Sequence, residues 1–175
     1  PAGTLKSDGP LLEPDAMDLL KKNGIPVPPH VFACTPKAAA LGAEKLGYPV
    51  VMKVVSPDIL HKSDVGGVVL GVDCPEKAKE AFSHLEKVAD GLDFRGAVLY
   101  PMFKGAHEVI LGLTRDPIFG PVVAFGLGGI YTEVLKDVVF HIAPVDREQA
   151  MKMIRSIKTY RILEGMRGQA PADLK

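Results

Sequence analysis

Val50-Val51-Met52-Lys53-Val54-Val55 runs into Ser56-Pro57-Asp58-Ile59-Leu60-His61-Lys62-Ser63-Asp64-Val65-Gly66-Gly67-Val68, and this stretch decides how the rest of the chain is read. The first six residues form an apolar run of strand length that carries one lysine. A lysine fixed on a strand presents a point charge to a phosphate without ordering a flexible loop, and glycines such as Gly66 and Gly67 let backbone amides approach the same anion. His61 is suited to carry a phosphoryl group, because neutral imidazole is nucleophilic near neutral pH and a hydrogen bond to its second nitrogen fixes the tautomer. Lys62 and Ser63 stand beside it to stabilise the transferred group. Taken alone, the same residues also describe a polar hairpin loop with solvated charges and turn-forming glycines.

Working outward, helices and strands first alternate and strands then follow one another, which predicts an α+β chain. Leu12, Ala16, Leu19 and Leu20 mark one helical face ending near Asn23-Gly24, and Pro26, Pro28 and Pro29 force an extended connection. A short strand is expected at Val31–Cys34. Thr35-Pro36 supplies an N-cap and a first-turn proline for a helix to about Leu46, closed by Gly47. Strands Val50–Val55 and Val68–Val72 bracket the histidine loop. Asp73-Cys74-Pro75 then starts a helix with Ala78, Ala81, Phe82, Leu85, Val88 and Ala89 on one face. After Gly91, strands are expected at Ala97–Tyr100, Glu108–Thr114, Val122–Phe125 and Val138–Ile142, together forming one antiparallel sheet. Asp146-Arg147-Glu148-Gln149 reads as a capping box for a helix striped by Ala150, Met153, Ile154 and Ile157.

Composition sets the bounds. The 175 residues are 47% hydrophobic and 24% charged, enough for one core or two small lobes sharing a cleft. The 21 basic and 21 acidic residues cancel, so no overall field gathers nucleic acid and any anion must be bound by a defined site. No apolar run approaches the ~20 residues that span a bilayer, and residues 1–10 read as a tail or linker without a hydrophobic signal core. Cys34 and Cys74 do not form a CxxC pair, which makes a reducing cytoplasm the expected setting. His30, His84, His107 and His141 have no metal-ligand spacing.

Two further segments carry chemistry. In Phe125–Asp137, three glycines in four positions follow an apolar strand and suit close approach to a ligand, with Glu133 or Asp137 placed to orient a lysine or histidine. The plainer alternative is a sharp turn between strands. Val98-Leu99-Tyr100-Pro101-Met102-Phe103 followed by Glu108 fits a hinge that reads an adenine edge while Glu108 accepts ribose hydroxyls. It also fits two strands joined by Lys104-Gly105.

Together with the Glu108-Val109-Ile110-Leu111-Gly112 strand, Asp116-Pro117-Ile118-Phe119-Gly120 and Arg161-Ile162-Leu163-Glu164-Gly165-Met166-Arg167-Gly168, these segments resemble the ATP-grasp part of NDP-forming acyl-CoA synthetases, whose best-known type is ADP-forming acetate–CoA ligase. The likeness runs from about Leu11 to Leu174. It implies an ATP-grasp fold with nucleotide between two lobes: a small lobe of about residues 24–94, and a large lobe of 11–23 plus 95–175 whose C-terminal part is missing. It also implies interconversion of acyl-CoA, ADP and phosphate with the acid, CoA and ATP through a phosphohistidine. On the matching positions, His61 is the relay histidine and Lys53, with Lys62, Ser63, Gly66 and Gly67, faces the nucleotide phosphates. Tyr100, Pro101 and Met102 supply the adenine hinge, Glu108 a ribose contact, and Glu133 a helper near the phosphates.

One departure from the family pattern is an expected Asn-Pro motif and acidic residue that hold Mg2+ in a further C-terminal strand pair, neither of which occurs before Lys175. The acyl-CoA-binding synthetase portion is the implied partner, in the same chain or a separate subunit, and without it these residues are expected not to turn over. A rival resemblance is the degenerate synthetase region of protein lysine acetyltransferases, which would make this a regulatory module. Another ATP-grasp ligase, phosphorylating a carboxylate directly, would not need His61. The acyl group, the choice of ADP or GDP, and the oligomeric state are not encoded in these motifs.

Overall fold

The computed structural model describes residues 11–103, 107–129, 136–165 and 170–174. The chain forms two compact units, one ending at Met102 and the other beginning at Phe103.

In the first unit, helix α1 (Glu13–Lys22) is followed by β1 (Val31–Ala33), α2 (Pro36–Leu46), β2 (Val50–Val55), β3 (Val68–Val72), α3 (Pro75–Val88) and β4 (Gly96–Pro101). The local signals act as expected. The Thr35 hydroxyl accepts the Ala38 amide at the start of α2, and Gly47 ends it at φ 83°. The four strands form an antiparallel sheet in the order β1-β4-β2-β3. Alternation sends Met52, Val54, Ala97 and Leu99 to one face, where they pack with Ala39, Ala43, Ala78, Phe82 and Leu85 of α2 and α3. Val55, Val98 and Tyr100 turn to the other face, where Leu12 and Met17 pack against them. This second contact departs from the expected stripe on α1, since Leu20 is 40% exposed and Met17 takes its place against the sheet.

The second unit is a three-stranded antiparallel meander, β5 (Val109–Asp116), β6 (Gly120–Leu127) and β7 (Val138–Ile142), followed by α4 (Arg147–Ser156) and the short α5 (Tyr160–Leu163). The capping box at Asp146 and Gln149 is present with both reciprocal hydrogen bonds. Ile154, Ile157 and Leu163 pack on Phe125, Leu127 and Val139.

The expected four-strand sheet after Gly91 is therefore wrong in membership. Strand β4 bonds to β1 and β2 and is an inner strand of the first sheet. The physical reason lies in its composition: residues 96–100 are all buried, so the strand needs cover on both faces, which only an interior position between α1 on one side and α2 and α3 on the other provides. The first unit thus includes α1 and β4 together with residues 24–94.

Candidate functional site

Strand β2 exposes alternate residues to the α1 side of the sheet, and Lys53 is one of them, set between Val51 and Val55 and opposite Val98. Its ammonium lies 4.9 Å from the centre of the Tyr100 ring, close enough for a cation–π contact. After Val55 the chain turns through Ser56, whose buried hydroxyl accepts the Asp58 amide at 3.2 Å. The Asp58 carboxylate in turn accepts the Asp93 amide at 2.8 Å, tying the start of the loop to the segment before β4. At the far end, the Gly67 amide donates to the Lys62 carbonyl at 2.7 Å and the Val54 amide donates to the Gly67 carbonyl at 2.9 Å. A β-carbon on Gly67 would stand 2.6 Å from Val54 Cγ1 and 2.9 Å from the Lys62 carbonyl oxygen, so the loop closes this tightly only around glycine.

This geometry brings Lys62 back toward Lys53. Their meeting point is Glu13, the first residue of α1, which no local motif in the sequence singles out. Its carboxylate lies 3.4 Å from Lys53 Nζ and 3.2 Å from Lys62 Nζ, and it accepts a hydrogen bond from the Tyr100 hydroxyl. Burial pushes the Glu13 carboxyl up, but the Tyr100 hydroxyl and the two ammonium groups outweigh it and hold the group below its ordinary range. Burial and the same carboxylate push the Tyr100 phenol well above its ordinary value, so it stays protonated and remains a donor. A cavity of about 170 Å3 opens beside this cluster, lined by Leu12, Glu13, Ser56, Ile59 and Lys62 among others.

His61 and Ser63 are exposed on the loop beside Lys62, and no described residue hydrogen-bonds the His61 ring. The expectation that a neighbour fixes its tautomer is not met in this arrangement. Nor are the Gly66 and Gly67 amides directed at a ligand, because they donate to the Ser63 and Lys62 carbonyls. The glycines shape the loop. The Gly66 carbonyl is contacted by His84 Nε2 at 3.2 Å, which fastens the loop to α3.

Tyr100 and Pro101 end β4 on the same sheet, and Met102 follows them. The Met102 amide donates to the Pro49 carbonyl at 3.0 Å, so this part of the expected adenine hinge is already hydrogen-bonded within the sheet. Glu108 belongs to the second unit, immediately before β5, and its carbonyl accepts the Gly128 amide at 2.8 Å. The close approach that the glycine cluster permits is made by the chain itself: β-carbons at Gly126 and Gly129 would stand 2.6 Å from the Asp137 carbonyl oxygen and 2.7 Å from Glu108 Oε2. Asp137 does not orient a described lysine or histidine side chain. It accepts the Lys158 and Thr159 amides and the Thr159 hydroxyl at 3.0, 2.7 and 2.6 Å, fixing the entry to α5. Glu133, the tail 1–10 and residues 166–168 of the Arg161–Gly168 motif lie outside the described residues. Among the described residues, no group of three or more His, Cys, Asp or Glu side chains is placed to hold a metal ion, and no helix is long and apolar enough to cross a membrane.

Comparison with known proteins agrees with this picture. A family model described as an ATP-grasp domain matches residues 5–175. The chain is 48% identical over 170 residues to the acetate–CoA ligase [ADP-forming] I subunit beta of Pyrococcus furiosus, covering 95% of this chain and 73% of that subunit. It is 46% identical over 173 residues to acetate–CoA ligase [ADP-forming] I of Archaeoglobus fulgidus, covering 97% of this chain but only 25% of that longer protein. Among solved structures, it resembles the dinucleotide forming acetyl-coenzyme A synthetase 1 of Ca. Korarchaeum cryptofilum in complex with coenzyme A, Ca-AMPCP and HgCl+. The TM-score is 0.89 at 37% identity, over 93% of this chain and 73% of that one. Another complex of that synthetase holds coenzyme A and Mg-AMPPCP with a phosphohistidine segment pointing towards the nucleotide binding site.

Proposed function

This chain belongs to the ATP-grasp family and matches the beta-subunit portion of ADP-forming acetate–CoA ligases, and from that premise we propose that it is the nucleotide-binding and phosphoryl-transfer part of an ADP-forming acyl-CoA synthetase. The observation that carries the reading is the convergence of Lys53 and Lys62 beside an exposed His61 on a loop anchored at both ends. The overall reaction converts acyl-CoA, ADP and phosphate into the acid, CoA and ATP.

In the first step a His61 ring nitrogen attacks the phosphorus carried by the first histidine of the relay, in the acyl-CoA-binding portion, which received it from an acyl phosphate. The P–N bond to that histidine breaks and its imidazole departs with the bonding electron pair. In the second step a terminal oxygen of ADP attacks the phosphorus of the phosphohistidine, the P–N bond breaks, and neutral imidazole is restored. Lys53 and Lys62 lower the energy of both steps by placing positive charge where phosphate oxygens gather negative charge. Ser63 donates a hydrogen bond to the same group, and Gly66 and Gly67 give the loop the shape that presents it. Tyr100, Pro101 and Met102 hold the adenine, Glu108 accepts ribose hydroxyls, and Glu133 assists near the phosphates. Mg2+ bound with the nucleotide would supply further charge neutralisation, although the described residues include no group that fits it. The partner is an acyl-CoA-binding synthetase portion, and the setting is the cytoplasm.

The test combines this chain with its acyl-CoA-binding synthetase portion and follows ATP formation from acetyl-CoA, phosphate and Mg-ADP. His61→Ala is expected to abolish ATP formation while leaving ADP binding intact, and phosphate label is expected on His61 in the wild type. An active His61→Ala variant would exclude the carrier role and favour an ATP-grasp ligase that acts directly on a carboxylate. A wild type that makes no ATP from any short-chain acyl-CoA, yet binds nucleotide, would favour a regulatory module.

A further inference from the structure

Among the described residues, Glu13 is the one carboxylate that touches both lysines of the proposed phosphate site, and the reaction proposed above gives it no task. It reaches them from α1, 40 residues away from Lys53 and 87 from Tyr100. Its side chain is 21% exposed, and those of Lys53 and Lys62 are 33% and 23% exposed, so the bridge is largely shielded from solvent. The ends of the histidine loop are fixed without it, by Ser56, Asp58, Gly66 and Gly67. Between those anchors Ile59 is buried in the core of the first unit, Leu60 is 72% exposed and His61 is exposed, and beyond Ile59 the loop's Lys62 is tied to the sheet side through Glu13.

We propose that Glu13 is a positioning residue whose carboxylate bridges Lys62 to Lys53 as an internal stand-in for phosphate, docking the His61 loop on the sheet and competing with an incoming phosphate for the same two ammonium groups. The proposal rests on the reading of Lys53 and Lys62 as phosphate-binding residues. A carboxylate and a phosphate oxygen make the same kind of charge-assisted hydrogen bond to an ammonium group, so one can replace the other. With Glu13 ionised, the three side chains carry a net single positive charge, and removing that negative charge leaves two. An anion then meets a stronger field and no competitor.

The deciding experiment measures amide hydrogen exchange of residues 57–65 and binding of inorganic pyrophosphate, using the chain with its synthetase portion. Glu13→Gln keeps the size and the hydrogen-bonding capacity of the side chain. In this variant the loop is expected to exchange about tenfold faster than in the wild type without ligand, since opening free energies differ locally where a tie is lost. Pyrophosphate is expected to bind at least about fivefold more tightly, the lower end of ordinary coupling between sites, and to restore the protection. Lys62→Met removes the loop's side of the bridge, so its loop is expected to exchange faster and to remain so when pyrophosphate is added. That contrast keeps the proposal testable if Glu13→Gln fails to fold.

An unchanged loop in Glu13→Gln overturns the proposal, as does a loosened loop that pyrophosphate does not restore; the latter would make Glu13 a staple and nothing more. These outcomes are separable from failure of the proposed reaction. Pyrophosphate rescue with an active His61→Ala variant would refute the relay and leave the bridge standing. The opposite pair of results would do the reverse.

Discussion

In the first unit Phe82, Met52, Leu85 and Leu99 are buried to within 1% of complete, and the sheet is covered on both faces. The sheet of the second unit leaves Leu111 and Leu113 72% exposed and Phe140 64% exposed, and its buried apolar residues are Leu127, Met153, Ile157 and Leu163 among those described. The difference teaches where order comes from at the candidate site. Lys53 and Tyr100 are held by a close-packed core behind them, because β2 and β4 present one face to that core and the other to the cluster. Glu108 stands at the end of a thinly covered sheet, where fewer apolar contacts resist local opening.

The sharpest way to break this contrast is a pair of truncations. Phe82→Ala should cost about 3–5 kcal/mol in chemical denaturation, as deletion of a fully buried aromatic ring does. Phe140→Ala should stay within about 0.5 kcal/mol, as an exposed substitution does. Equal losses would mean that the second sheet packs against something that its exposure in this structure does not show. A smaller effect is expected at the loop: Gly67→Ala forces a β-carbon into Val54 and the Lys62 carbonyl and should cost about 1–3 kcal/mol, measured by thermal or chemical unfolding.

Acid provides the mildest probe, one residue in each unit. Burial pushes the Asp137 carboxyl up, but hydrogen bonds from the Thr159 hydroxyl and the Lys158 and Thr159 amides bring it below its ordinary value of 3.8. Glu13 lies below its ordinary value of 4.5. Each therefore binds a proton less readily in the folded state than in the unfolded chain. Their stabilisation is complete above these ordinary values and is lost as pH falls through the lowered folded values. Urea midpoints followed downward from pH ~6 should fall more in the wild type than in Asp137→Asn, which has no charge to lose at that position. Parallel slopes would show that Asp137 is not held below its ordinary value.

Much of this was legible in the sequence because it was local. Thr35-Pro36 and the Asp146–Gln149 box are short-range hydrogen-bond patterns, and the apolar stripe of Pro75–Val88 follows from a helical period alone. Lys53 could be placed on a strand because the strand period is written in its immediate neighbours. Membership of β4 in the first sheet was not legible in that way, since adjacency to later strands competes with burial on both faces and only burial decides. The amides of Gly66, Gly67 and Met102 looked available in sequence, yet hydrogen-bond satisfaction in the loop and sheet engages them.

By itself, then, the sequence determined the elements, their caps, the lysine on β2 and the histidine loop, and through those residues a family resemblance that the comparisons bear out. The tertiary structure alone decided that Glu13 meets Lys53, Lys62 and Tyr100. A carboxylate on the first turn of a helix has no sequence period linking it to a strand 40 residues on or to another 87 residues on. Only packing of α1 over the sheet, through Leu12 and Met17, brings the charges within reach of one another.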